Sequence, residues 1–147
     1  MIRRISAMLL AAASLFGATV AMAAPAQAAL CTSDNACLWS DSGFTGHKRD
    51  DYTSRPSWFI FYDNNNYNRL YQEDGVVDNV SSIDNWDPDT RISVYYNSGY
   101  AGPCFKVEAY GAVSNFEQIT LGNGMKSNDR MNSHKFSNEC VATTYNF

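Results

Sequence analysis

The sequence predicts an all-β domain, a β-sandwich of two Greek-key motifs, on three observations. Trp39-Ser-Asp-Ser-Gly-Phe44-Thr-Gly46 and Tyr95-Tyr-Asn-Ser-Gly-Tyr100-Ala-Gly102 spell one pattern twice: aromatic, four residues, aromatic, one residue, glycine. The copies begin 56 residues apart, the mark of a duplicated supersecondary unit. No window sustains an apolar period of three to four residues, while Asn, Asp, Ser, Gly and Tyr punctuate the chain at short intervals. Short apolar runs beside turn residues supply the strands such a sandwich needs.

In chain order, residues 1–28 read as an export signal. Arg3 and Arg4 open them, an apolar stretch runs from about Met8 to Val20, and Ala26-Gln27-Ala28 is a small-x-small cleavage site. Ala28-Ala29-Leu30 before Cys31 does not have the lipobox order, and no later stretch is apolar and long enough to span a bilayer. A soluble, secreted domain over 29–147 is expected, with Greek key 1 at about 31–88 and Greek key 2 at about 89–147. Ala36-Cys37-Leu38-Trp39 is the first strand; Gly46 supplies the positive φ of a folded-over hairpin, and Trp39 and Phe44 cover its turn. The stretch Tyr62 to Tyr71, rich in Asn, is a long polar connection or a presented loop that contacts a sugar or protein. A polar box follows, Asp78-Asn79-Val80-Ser81-Ser82, and then a linker from Asp84 to Thr90 holding Trp86 and Pro88. The second half repeats the order: Ile92, Val94 and Tyr96 alternate with Ser93 and Tyr95, Tyr100 and Gly102 close a hairpin, and Cys104-Phe105-Lys106-Val107 is the return strand. The second box is Asn128-Asp129-Arg130-Met131-Asn132-Ser133.

The net charge is −4, and losing Arg3 and Arg4 takes it to about −6, which argues against nucleic acid and against anionic membrane as partners. Cys31, Cys37, Cys104 and Cys140 all lie in the exported part, and an even count there reads as two disulfides. Of three connectivities, Cys31–Cys37 with Cys104–Cys140 is preferred, one bridge within each half. Zinc is the competing reading, and the chain has no CxxC pair to support it.

The paired hairpins with serine boxes downstream resemble the two Greek keys of a βγ-crystallin domain. The exported, four-cysteine form opening Cys31 to Cys37-Leu38-Trp39 resembles peptidase inhibitor family I36, over about Cys31 to Phe147. The resemblance implies a monomeric secreted protein whose partner is a secreted peptidase, a thermolysin-like metallopeptidase above all, blocked by a loop inserted into its cleft. It places that loop just before the central strand of the second key, at Gly102, Pro103, Cys104 and Phe105, with Phe105 as apolar anchor; the alternative is that Phe105 is a core strand residue and Cys104 a staple. The prototype's upstream cysteine, which braces this loop, is absent here. Gly46 and Gly102 match the hairpin glycines, and Ser82 and Ser133 the serines that latch onto the hairpin backbone.

No cofactor is required on this reading, but the boxes resemble crystallin calcium sites. Val77 stands where the first needs an oxygen and Asn132 where the second expects a hydroxyl, so Asn128, Asn132, Asp78 and Ser81 are weak calcium candidates. The alternative function is a calcium-binding structural, stress or toxin-like module without inhibitory activity. Catalysis is not expected. His47 and His134 lie in no HExxH, no Gly-x-Ser-x-Gly occurs, His134 reads as a solvent-facing strand residue, and Asp50, Asp51, Glu73 and Asp74 define no cleft.

Overall fold

The computed structural model describes residues 31–58, 80–142 and 144–145. Its strands are β1 (Ala36–Asp41), β2 (Thr45–Asp51), β3 (Ser82–Asn85), β4 (Ile92–Asn97), β5 (Ala101–Val107), β6 (Ala112–Val113), β7 (Ser133–Phe136) and β8 (Thr144–Tyr145). One 3-10 turn, Phe116–Gln118, is capped by the Asn115 side chain. The strands form two four-stranded sheets, ordered β2-β1-β3-β6 and β7-β4-β5-β8, antiparallel except for β5 with β8. The expected all-β fold is the fold observed. No helix among the described residues is long and apolar enough to cross a membrane.

The two hairpins repeat each other down to the backbone. Gly43, Phe44 and Gly46 have φ of 74, 59 and 79°, and Gly99, Tyr100 and Gly102 have 74, 61 and 78°. Phe44 and Tyr100 thus occupy the left-handed region at a cost of roughly 1–2 kcal/mol each. In return the turn folds back so that each ring meets the first aromatic of its motif, Trp39–Phe44 at 5.3 Å and Tyr95–Tyr100 at 6.0 Å. A Cβ on Gly46 would stand 2.3 Å from Ser40 Oγ, so glycine is required there by space as well as by φ. Both hairpins also shift register just before the turn, between Trp39 and Asp41 and between Tyr95 and Asn97.

The sheets do not follow the two sequence halves. β6, from the second half, pairs with β3, Ile83 opposite Val113. Conversely, Arg55 of the first half bridges His134 on β7 through backbone bonds of 2.8 and 3.1 Å. Each half therefore completes the other's sheet, and one core forms between them. Leu38, Ile83 and Val113 meet Ile92, Val94, Phe105 and Val107 there, and Trp58, Phe116, Ile119 and Met131 close its ends. The outer face of β1 is also covered, because Cys31, Cys37, Trp39 and Phe44 form a second small cluster. That double burial explains why Ala36 to Trp39 is a continuous apolar run rather than an alternating one.

Cys31–Cys37 and Cys104–Cys140 are the disulfides formed. Bridges of this kind contribute roughly 2–4 kcal/mol each. The linker is shorter than expected at its start, because Asp84 and Asn85 belong to β3, where they pair with Cys37 and Ala36. Residues 1–28, read above as an export signal, the polar stretch from Tyr62 to Tyr71 and Asp78 lie outside the described residues.

Candidate functional site

Ser82 and Ser133 are buried and bonded alike. Ser82 Oγ donates to Asp41 O (2.7 Å) and accepts from Phe44 N–H (3.2 Å); Ser133 Oγ donates to Asn97 O (2.7 Å) and accepts from Tyr100 N–H (3.3 Å). Each hydroxyl satisfies a donor and an acceptor that the left-handed turn has freed from the strand ladder. Ser82→Ala and Ser133→Ala are each expected to cost about 1–3 kcal/mol, since they leave polar backbone groups unpaired. Urea unfolding of the two variants measures this, and unchanged midpoints would remove the latch from the account.

The serine boxes also approach each other across the molecule. Ser81 Oγ lies 3.1 Å from the Asp129 carboxylate, 48 positions away, and Asn128 Nδ2 donates to the same carboxylate at 2.7 Å. Asp129 has φ 54°. Asn132 turns elsewhere, its Nδ2 donating to the carbonyls of Tyr96 and Arg130. The Oδ1 atoms of Asn128 and Asn132 are buried with no hydrogen-bond partner, which leaves two amide oxygens free to ligate. Against this, Lys126 and Arg130 share an open depression with Glu117, Asn128 and Asp129, and their charge opposes that of the two carboxylates. The oxygens are of the kind calcium takes, and the neighbouring positive charge opposes a cation there. Sequence reading named Asn128, Asn132 and Ser81 and missed Asp129, although Asp129 fills the second acidic-or-amide position of its box.

Phe105 is not an anchor presented to a partner. It is 1% exposed, sits opposite Val94 in the ladder and packs edge-on against Phe116 at 5.1 Å. The cause is strand alternation: Phe105 and Val107 fall on the core side of β5, whereas Cys104 and Lys106 fall on the other. Gly102 and Pro103 are strand residues as well, exposed and half-buried, and Cys104 is half-buried in its bridge to Cys140. The predicted inhibitory turn is therefore the opening of a strand.

His134 does lie on a strand, but it is buried rather than solvent-facing. Residues 53–58 run along β7 and cover it. Trp58 Nε1–H donates to Nδ1 at 2.9 Å, and Nε2 lies 3.1 Å from Thr53 O. Both ring nitrogens are occupied in the neutral Nε2–H form, so the group is structural. Burial pushes its pKa down to about 4, the Asp51 carboxylate and the Thr53 carbonyl pulling weakly the other way. Asp51, itself buried, is held by Arg55 through Nε (2.5 Å) and Nη2 (3.1 Å), and Asp50 pairs with Lys48. Glu73 and Asp74 lie outside the described residues. Among the described residues the only metal-sized cluster of Cys, His, Asp and Glu is Cys31, Cys37 and Asp50, and its two sulfurs are bonded to each other, which disposes of zinc there.

One surface feature went unread as a site. Trp86 and Tyr110 are exposed and meet edge to face at 6.4 Å, in loops far apart in sequence.

Two sheets exchanging segments over a duplicated, serine-latched hairpin define a domain of the βγ-crystallin type. The fold is shared with a structure described as "Evolution of the eye lens beta-gamma-crystallin domain fold", 16% identical with a TM-score of 0.53, covering 73% of this chain and 89% of that one. Also similar are a βγ-crystallin from Ciona intestinalis (23% identical, TM-score 0.48, covering 70% of this chain and 99% of that one) and one from an archaeon (18%, 0.48, 71% and 99%). The family model of peptidase inhibitor family I36 matches residues 24–107, and the chain belongs to that family. No curated protein matches it.

Proposed function

We propose that this protein is a secreted inhibitor of a peptidase, a metallopeptidase in the first instance, acting as a stable domain that obstructs the enzyme's cleft. Membership of family I36, over residues 24–107, carries the reading. Two disulfides accord with an extracellular protein, and they brace a scaffold that loses little entropy on binding. A family of inhibitors fits a protein that acts by contact rather than by chemistry. With Phe105 in the core, the obstructing surface is sought elsewhere. The test is a panel of secreted zinc and serine peptidases titrated with the folded protein; full activity of every enzyme would sink the reading.

The Ser81–Asp129 approach and the free oxygens of Asn128 and Asn132 favour a second reading, a calcium-binding crystallin-type module. Ser81, Asp129 and Asn128 would hold the ion, which would tie the two boxes together. Calcium at one hundred times its Kd would stabilise the fold by about 2.7 kcal/mol. Millimolar calcium is expected to raise the Tm of chelator-treated protein, and Asp129→Asn, which keeps the left-handed turn, to abolish most of the rise. A Tm indifferent to calcium would remove the ion from the account.

A further inference from the structure

We propose that the surface facing the partner is the Trp86–Tyr110 pair with the aspartates around it, seating in an apolar pocket rimmed by Lys and Arg on the peptidase. The proposal rests on the inhibitor reading. Three loops meet at the end of the β4–β5 pair away from its turn, and their backbones are knitted together. Asp34 N–H donates to Trp86 O (3.1 Å), Trp86 N–H to Asn35 O (2.9 Å), Tyr110 N–H to Asp87 O (3.3 Å) and Asn85 N–H to Gly111 O (2.8 Å). Buried Asn85 adds bonds of 2.8 Å from its side chain to the carbonyls of Thr90 and Glu108. The first loop is closed by Cys31–Cys37 and braced from within, Asn35 Nδ2 donating to Thr32 Oγ1 at 2.7 Å. The platform is stiff before any partner arrives.

On this platform the aromatics are held outward. Trp86 is 39% and Tyr110 63% exposed, and Asp84 accepts from the indole Nε1–H at 2.7 Å, which sets the ring. Tyr110 has φ 53°, a conformation with a steric cost, yet its ring buries little in exchange. The hairpin aromatics Phe44 and Tyr100 accept the same cost and are half-buried, whereas Tyr110 packs edge-on against Trp86, a ring that is itself exposed. A Trp and a Tyr held outward on a stiff platform point to a contact made in a complex, because Trp and Tyr are the residues that most often dominate such contacts.

Charge selects the partner. Asp34, Asp84, Asp87 and Asp89 surround the pair, and residues 32–35, 84–90 and 108–111 contain no Lys, Arg or His. The adjacent Arg91 is held by Glu108 at 2.7 and 3.0 Å. An apolar centre within an acidic rim complements a cleft of the opposite pattern, and the rim would speed encounter at low salt.

The experiment uses the full folded protein and whichever panel enzyme it inhibits. Trp86→Ala and Tyr110→Asn, the latter keeping a residue suited to positive φ, are each expected to weaken inhibition about thirty-fold or more with Tm little changed. Asp34→Asn with Asp89→Asn is expected to slow association several-fold at low salt and to make no difference at high salt. Should both aromatic variants inhibit as well as the wild type, this surface is not the interface and only the present proposal falls. If the wild type inhibits nothing, the inhibitor reading falls and takes this one with it.

Discussion

Phe105→Ala is expected to lower stability by about 3–5 kcal/mol, enough to unfold much of a domain whose whole margin is of the order of 5–15 kcal/mol. The ring is buried between β4, β5 and the Phe116 turn, and the neighbouring strands are tied by ladder bonds, so the cavity cannot close by small shifts. Urea unfolding followed by near-ultraviolet circular dichroism gives the loss directly. Phe105→Leu should cost less and still give a folded protein, which inhibits like wild type if the ring never touches the enzyme. Loss of inhibition by a Leu variant of normal stability would return Phe105 to the interface.

Acid is expected to destabilise the protein in a window set by His134. Its folded pKa, about 4, lies below the unfolded value of 6.5. The unfolded chain therefore takes up a proton as pH falls through 6.5, while the folded one declines it until about 4. The stability contributed by neutral His134 is complete above pH 6.5, is lost progressively below it, and amounts to roughly 3 kcal/mol by the time the folded pKa is reached. Geometry gives the reason: a second proton, on Nδ1, would face the Trp58 Nε1–H that now donates to it. Asp51 favours the charged ring and Arg55 opposes it, so their ion pair leaves burial dominant. Urea midpoints measured from pH 7 to pH 4 should fall for the wild type and flatten for His134→Phe. An identical slope in both would assign the acid sensitivity to other groups. The first region to loosen should be residues 53–58, whose backbone is pinned to β7 by bonds at Arg55 and Trp58.

Much of the fold was legible because it is written twice. The spacing of Trp39, Phe44 and Gly46 against Tyr95, Tyr100 and Gly102 specified two hairpins of one geometry, and an even number of cysteines in the part read as exported specified a disulfide framework. The serines of the two boxes were legible as latches through the resemblance to βγ-crystallin domains. The site was less so. Phe105 was misplaced as an anchor because the resemblance put a loop at Gly102 to Phe105, whereas the chain has already entered β5 at Ala101. His134 was put in solvent because nothing near it in sequence shows that residues 53–58 return to cover its strand. Asp129 escaped notice because its partner, Ser81, lies 48 positions away in the other box.

By itself the sequence determined the class of fold, the repeat, the hairpin conformations and the presence of two disulfides, whose pairing it left as one preferred choice of three. Those features rest on local backbone sterics and on redox chemistry, which neighbouring residues and residue counts encode. Only the tertiary structure decided which side chains are buried and which meet. The exchange of segments between sheets sent Phe105 and His134 inward, joined Ser81 to Asp129, and set Trp86 beside Tyr110 on an acidic rim. Each of those outcomes depends on contacts between residues distant in the chain, and such contacts are fixed when the two halves close over one core.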